Sequence, residues 1–184
     1  VEMTTAEIGR APLELKQIAR AANTHIIAAT GHHKHKFSSP GLSGKTVEQI
    51  AGQIITDICT GMDNTDVRAG VIKAATSKDR AYECELCAIQ AAGLAHQTTG
   101  APLSTHTEAG TFALEQIELL QKARVAPERI LIGHLDRGLA LQTCLDIART
   151  GVYLGFDQIG KEKYWPDCER IQLIVELIKA GYLR

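Results

Sequence analysis

No apolar run in this chain reaches the length of a membrane span, and its start lacks the basic-then-apolar pattern of a signal segment. Strong charge of either sign is missing too. A formal net charge of -1 offers no electrostatic footprint for nucleic acid or an anionic membrane surface. Neither a G-x-G-x-x-G turn nor a P-loop occurs, which argues against a nucleotide-binding open sheet. The five cysteines are odd in number and dispersed, so a disulfide framework is not expected and a reducing, cytoplasmic setting is. Cys84 and Cys87 form a C-x-x-C pair without a second pair to complete a structural zinc site. They fall inside a helical pattern, where that spacing places both on one face as small buried residues.

What is present is ordinary soluble composition: 184 residues, 45% hydrophobic and 22% charged, enough for one domain over residues 1–184 with a single core. Short β-branched runs alternate with longer amphipathic stretches. Strands are expected at 1–5, 25–30, 68–75, 103–106, 129–133 and 152–156. Helices are expected over 11–22, 47–60, 81–98, 111–124, 139–149 and 167–180. Pro12 suits a first helical turn, and Thr46 can cap the helix whose Ile50, Ile54, Ile55 and Ile58 share one face. Phe112, Ile117 and Leu120 are candidates for the buried side of a later helix. Residues 32–36, His-His-Lys-His-Lys, read as a basic exposed loop.

Strict alternation of strand and helix implies a parallel sheet with right-handed crossovers. A doubly wound open sheet and a (β/α)₈ barrel both fit that order. A whole barrel typically takes about 250 residues. Six βα units in 184 residues therefore read as an α/β partial TIM barrel, strands 2 to 7 with their helices.

Four of the expected strands end on a polar or charged side chain: Lys73, His106, His134 and Asp157. In a parallel sheet such residues converge on one mouth. Two imidazoles on consecutive strand ends point to metal ligands rather than to two isolated core histidines. Lys73 lies among Val71, Ile72, Ala74 and Ala75, where desolvation depresses an amine pKa. It could act as a base, form a Schiff base, or take up carbon dioxide as a carbamate. Equally, its head could pair with a carboxylate such as Asp157, which has Arg10 as an alternative partner.

The segments 68–76 (RAGVIKAAT), 102–107 (PLSTHT) and 132–136 (IGHLD), with Ile8-Gly-Arg10, 25–31 and Phe156-Asp-Gln-Ile159 in the same order, resemble the phosphotriesterase family of the amidohydrolase superfamily. Glu115-Gln116-Ile117 and 133–137 (GHLDR) are most similar to its lactonase branch. The resemblance implies a hydrolase with two divalent metal ions, usually zinc, and a hydroxide bridging them. Lys73, carboxylated on Nζ, would bridge the ions, and His106 and His134 would bind the more exposed one. It also implies a His-x-His pair on a first strand and an aspartate ending an eighth. His33 and His35 follow a later strand and are not assigned that role. The chain is thus expected to be an internal piece, inactive by itself, of an active hydrolase.

The substrate implied is a small molecule, a lactone and in particular a phosphorylated sugar lactone. Arg137, Lys161, Lys163 and Tyr164 follow the strand ends where barrels often bind phosphate, and His32 could wall the pocket. Hydrolysis of an organophosphate triester is the second enzymatic reading. A non-catalytic barrel remnant is the third, its unclosed strands pairing with another chain, most simply as a homodimer.

Overall fold

The structure is a computed structural model and describes residues 1–183. Five parallel strands form one sheet in the order β1 (Ala29–Gly31), β2 (Val71–Ala75), β3 (Leu103–His106), β4 (Ile130–Gly133) and β5 (Tyr153–Leu154). Each strand lies beside the next one in sequence, with no reversal of order. An open doubly wound sheet needs a reversal point and a barrel does not, so the order selects the partial barrel.

The helices are α1 (Pro12–Ala21), α2 (His35–Leu42), α3 (Val47–Cys59), α4 (Glu83–Thr99), α5 (Ala113–Lys122), α6 (Leu141–Arg149) and α7 (Asp167–Lys179). Pro12 takes the first turn of α1, where its missing N–H costs nothing. Thr46 and Gln49 form a reciprocal capping box at the start of α3, worth about 1 kcal/mol. Ile50 and Ile54 of α3 join Ile89, Leu103, Ile117, Leu120, Ile130 and Ile132 in the main core between sheet and helices. Ile55 and Ile58 pack only at its margin.

Side chains alternate across a strand, so this core takes Ile72 and Ala74 from β2 and leaves Lys73 on the opposite, inner face. Register then builds an inner row of Gly31, Lys73, Ser104, Leu131 and Tyr153. The next inner position toward the carboxyl edge holds Ala75, His106 and Gly133. Leu131 and Tyr153 are 37% and 45% exposed on this face.

Four expectations need correction. Residues 1–5 do not form a strand: only an isolated parallel bridge joins Glu2 to Ala28, because the Glu2 carboxylate folds back onto the amide and hydroxyl of Thr4. The last strand shortens to Tyr153–Leu154. The basic segment is not wholly a loop, since His35 and Lys36 begin α2. Phe112 is also not a helical core residue; it precedes α5 in a left-handed conformation at φ 63°.

Candidate functional site

Gly31 is where the backbone first shapes the mouth of the sheet. Its φ is +90°, and a Cβ there would lie 2.1 Å from the carbonyl oxygen of Lys73. Only glycine lets the chain pass this close and send the His32 N–H onto that same carbonyl at 3.0 Å. The turn delivers His32 and His33 to opposite sides. His32 faces Glu7 at 3.6 Å and lines a 610 Å³ cavity with Arg10 and Asp57. His33 packs its ring 4.8 Å from that of His106.

His106 ends β3 and His134 directly follows β4, and their rings meet edge to face with centroids 4.6 Å apart. His134 adopts φ +63°, a left-handed conformation uncommon for a residue with a Cβ and often held at working sites. Its Nδ1 lies 2.7 Å from Oδ1 of Asp157, to which Gln158 Nε2 also donates at 3.3 Å. Asp157 therefore pairs with His134, not with Arg10 or Lys73. Arg10 instead binds Asp57 and Asp63.

On His106, Nε2 faces Glu108 Oε1 at 3.2 Å, and Lys34 pairs with the same carboxylate. The His106 carbonyl accepts from Gln116 Nε2 at 3.0 Å, and that amide also reaches Thr76 Oγ1 at 2.6 Å. Gln116 is fully buried and so ties the ends of β2 and β3 together. Each histidine thus has one ring nitrogen engaged and the other directed elsewhere: Nδ1 on His106 and Nε2 on His134.

Electrostatics follow from burial. Removal from water, with the nearby His134, brings His106 down to about 4 against the pull of Glu108. Burial, then the charges of Lys73, His106 and Lys34, bring His33 down to about 3. Both rings are neutral at neutral pH. Lys73 is 8% exposed and donates from Nζ to the Met3 carbonyl at 2.8 Å. Burial lowers its pKa, while Glu7 and Glu2 oppose the shift.

Beyond β4 and β5, the Arg137 guanidinium stands 4.2 Å and Lys163 Nζ 4.8 Å from the centre of the Tyr164 ring. Arg170, fully buried on α7, holds this loop: it donates to the carbonyls of Asp136 at 2.9 Å and Lys161 at 3.1 Å, and pairs with Asp167. The expected set therefore divides into Lys73, His106 and His134 on the strands, Arg137, Lys161, Lys163 and Tyr164 around one loop, and His32 turned toward the Arg10 cavity. Sequence reasoning set His33 aside and missed Glu108 and Arg170. Glu108 stands two residues beyond His106, a spacing that could have flagged it.

The sequence profile of the phosphotriesterase family matches residues 1–184. Phosphotriesterase homology protein of Escherichia coli (strain K12) is 34% identical over 184 residues, 100% of this chain and 63% of that protein. A crystal structure of the E. coli protein, with phosphate in its active site, superposes with a TM-score of 0.95 at 34% identity, covering 98% of this chain and 63% of the other. A lactonase from Listeria monocytogenes superposes with a TM-score of 0.92 at 30% identity, covering 98% and 62%. Phospho-furanose lactonase of Mycoplasmopsis synoviae is 32% identical over 198 residues, 98% of this chain and 56% of that protein. The chain spans less than two thirds of the length of these relatives. Along all 184 of its residues, this chain belongs to the phosphotriesterase family.

Proposed function

We propose that this chain carries part of the metal centre of a hydrolase that opens a lactone ring, with His106, His134 and Lys73 as ligands. The observation that carries the reading is the pair of imidazoles in ring contact at consecutive strand ends, His106 held neutral by burial, beside a buried amine on the adjoining strand. Neutral imidazole nitrogen is a preferred donor to zinc. Among the described residues, no three His, Cys, Asp or Glu side chains stand close enough to hold an ion together. Within the described residues, a third donor would come from another residue type. Lys73 would supply it as a carbamate: the unprotonated amine adds to carbon dioxide and releases a proton, which leaves an anionic oxygen donor. Divalent ions bound here would lower the pKa of water and polarise the ester carbonyl.

The protein's own groups do the rest. Asp157 fixes the His134 ring and Glu108 the His106 ring, as carboxylates behind ligating histidines commonly do. Arg137 and Lys163, stacked on Tyr164, offer positive charge and directed donors that suit an anionic substituent such as a sugar phosphate. The names of the two lactonase relatives support the lactone, and the phosphate in the E. coli relative's active site supports the anion.

Zinc retained after gel filtration in bicarbonate buffer tests the ligand set. Lys73→Met, His106→Ala and His134→Ala should each weaken retention at least tenfold, and unchanged retention in all three would refute it. Activity on a phosphorylated sugar lactone, set against a neutral aryl phosphotriester, tests the substrate. Preference for the phosphotriester would replace the lactone reading.

A further inference from the structure

On the helical side of the sheet, the first turn of α4 carries a second group of reactive side chains. Cys84 and Cys87 are half-buried, not buried as their helical pattern suggests, and both line a 450 Å³ cavity with Lys45, Ile50 and Glu83. Helix geometry puts residues three apart at Cα separations of about 5 Å, inside the range a disulfide can span. Cys84 Sγ lies 3.3 Å from Nδ1 of His35, and the His35 ring is stacked on Tyr82 at 3.9 Å with 11° between planes. Its backbone N–H is held by the buried carboxylate of Glu85 at 2.6 Å. The imidazole is thus fixed against the thiol from two directions.

We propose that Cys84 and Cys87 are a reversible dithiol–disulfide site, oxidised by a small hydroperoxide entering this cavity, with His35 taking the Cys84 proton. Burial, helped by the charge of Glu85, pushes the Cys84 thiol above its ordinary value, so it is protonated at neutral pH and needs an acceptor. As the proton passes to His35 Nδ1, Sγ attacks the hydroxyl oxygen of the peroxide and the O–O bond breaks. The departing oxygen takes the proton from His35 and leaves as an alcohol, or as water from hydrogen peroxide. Cys84 is then a sulfenic acid. Cys87 Sγ attacks that sulfur, the S–O bond breaks, and hydroxide leaves with the Cys87 proton as water. The two sulfurs together lose two electrons, which reduce the O–O bond. Cys59 and Cys168 are exposed elsewhere without such an arrangement, and Cys144 is buried.

The test is peptide mass after oxidation of the full chain with hydrogen peroxide, blocking with N-ethylmaleimide and digestion with trypsin. Residues 81–122 form one tryptic peptide containing only these two cysteines. The expected peptide is two hydrogens lighter, carries no maleimide, and is restored by dithiothreitol. Cys87→Ser should let dimedone trap Cys84 as its sulfenic acid, and His35→Asn should slow oxidation at least tenfold. Maleimide on both cysteines after oxidation, or bridging equally fast in His35→Asn, would overturn the proposal. Should a variant fold poorly, the native chain can be compared with itself in urea: bridging no faster when folded than when unfolded would overturn it too.

Discussion

Nδ1 of His134 and Oδ1 of Asp157 stand 2.7 Å apart, on segments that follow neighbouring strands. The pairing does two things at once. It holds a histidine whose backbone is already in a costly conformation, and it fixes that ring where it meets the ring of His106. Partial removal of Asp157 from water disfavours its charge, yet the His134 bond outweighs this and its pKa falls below the ordinary carboxylate value.

Asp157→Asn should therefore keep the fold but loosen the ring. Loss of a carboxylate behind a ligating histidine typically costs about 10–100-fold in metal affinity. Zinc titration of the variant by calorimetry measures it, and an unchanged affinity would separate Asp157 from the metal centre.

Gly31→Ala should fail in a different way. The new methyl would meet the Lys73 carbonyl at 2.1 Å with φ at +90°, so both sterics and backbone oppose it. A loss of about 3 kcal/mol or more in urea unfolding is expected.

Acid sensitivity should have a defined lower window. Burial disfavours the Glu7 charge, but the His32 side chain and the His33 amide bond to the carboxylate and bring its pKa down to about 2. A depressed folded pKa stabilises the fold above the unfolded value, and that stability is lost as pH falls from about 4.5 to about 2. The amount is about 3 kcal/mol. His33, depressed to about 3, adds a loss that begins below pH 6.5, where the unfolded imidazole takes its proton first. Urea unfolding across pH should show both losses in the native chain, and Glu7→Gln should remove only the lower one.

Arg170→Met should test the loop anchor. The side chain is fully buried, and its removal leaves the buried Asp136 carboxylate without a cation and with only the Gln158 amide on Oδ2, its Oδ1 already having no partner. Breaking a buried pair from one side costs about 3–5 kcal/mol. Faster proteolysis between Gln158 and Trp165 should accompany the loss.

How much of this was legible beforehand can be seen residue by residue. Thr46 as a cap, Pro12, and Ile50 and Ile54 of the α3 face are local signals that the structure bears out, while Ile55 and Ile58 of that expected face are only partly buried. His106 and His134 could be placed at strand ends because an apolar run stops at each of them, whereas Lys73, also read as a strand end, stands mid-strand in β2 with Ala74 and Ala75 beyond it. Helix α2 could not be read, since Ser39-Pro40-Gly41 within it is a local signal for a break. It is held by tertiary contacts instead: Glu85 on the His35 amide and the packing of His33 on Phe37. The same holds for Arg170, whose partners Asp136 and Lys161 lie 34 and 9 residues away. Long-range polar bonds leave no periodic trace in a sequence.

The division between strand-borne and loop-borne residues has an evolutionary reading. His106 and Lys73 are locked by sheet register, where a one-residue slip would send them into the apolar core. Lys161, Lys163 and Tyr164 instead ride on a loop clipped from beneath by Arg170. Exchanging that loop's residues leaves the strand-borne row untouched, so under the proposed function a lineage built on this frame could revise its choice of substrate while inheriting its reaction unchanged.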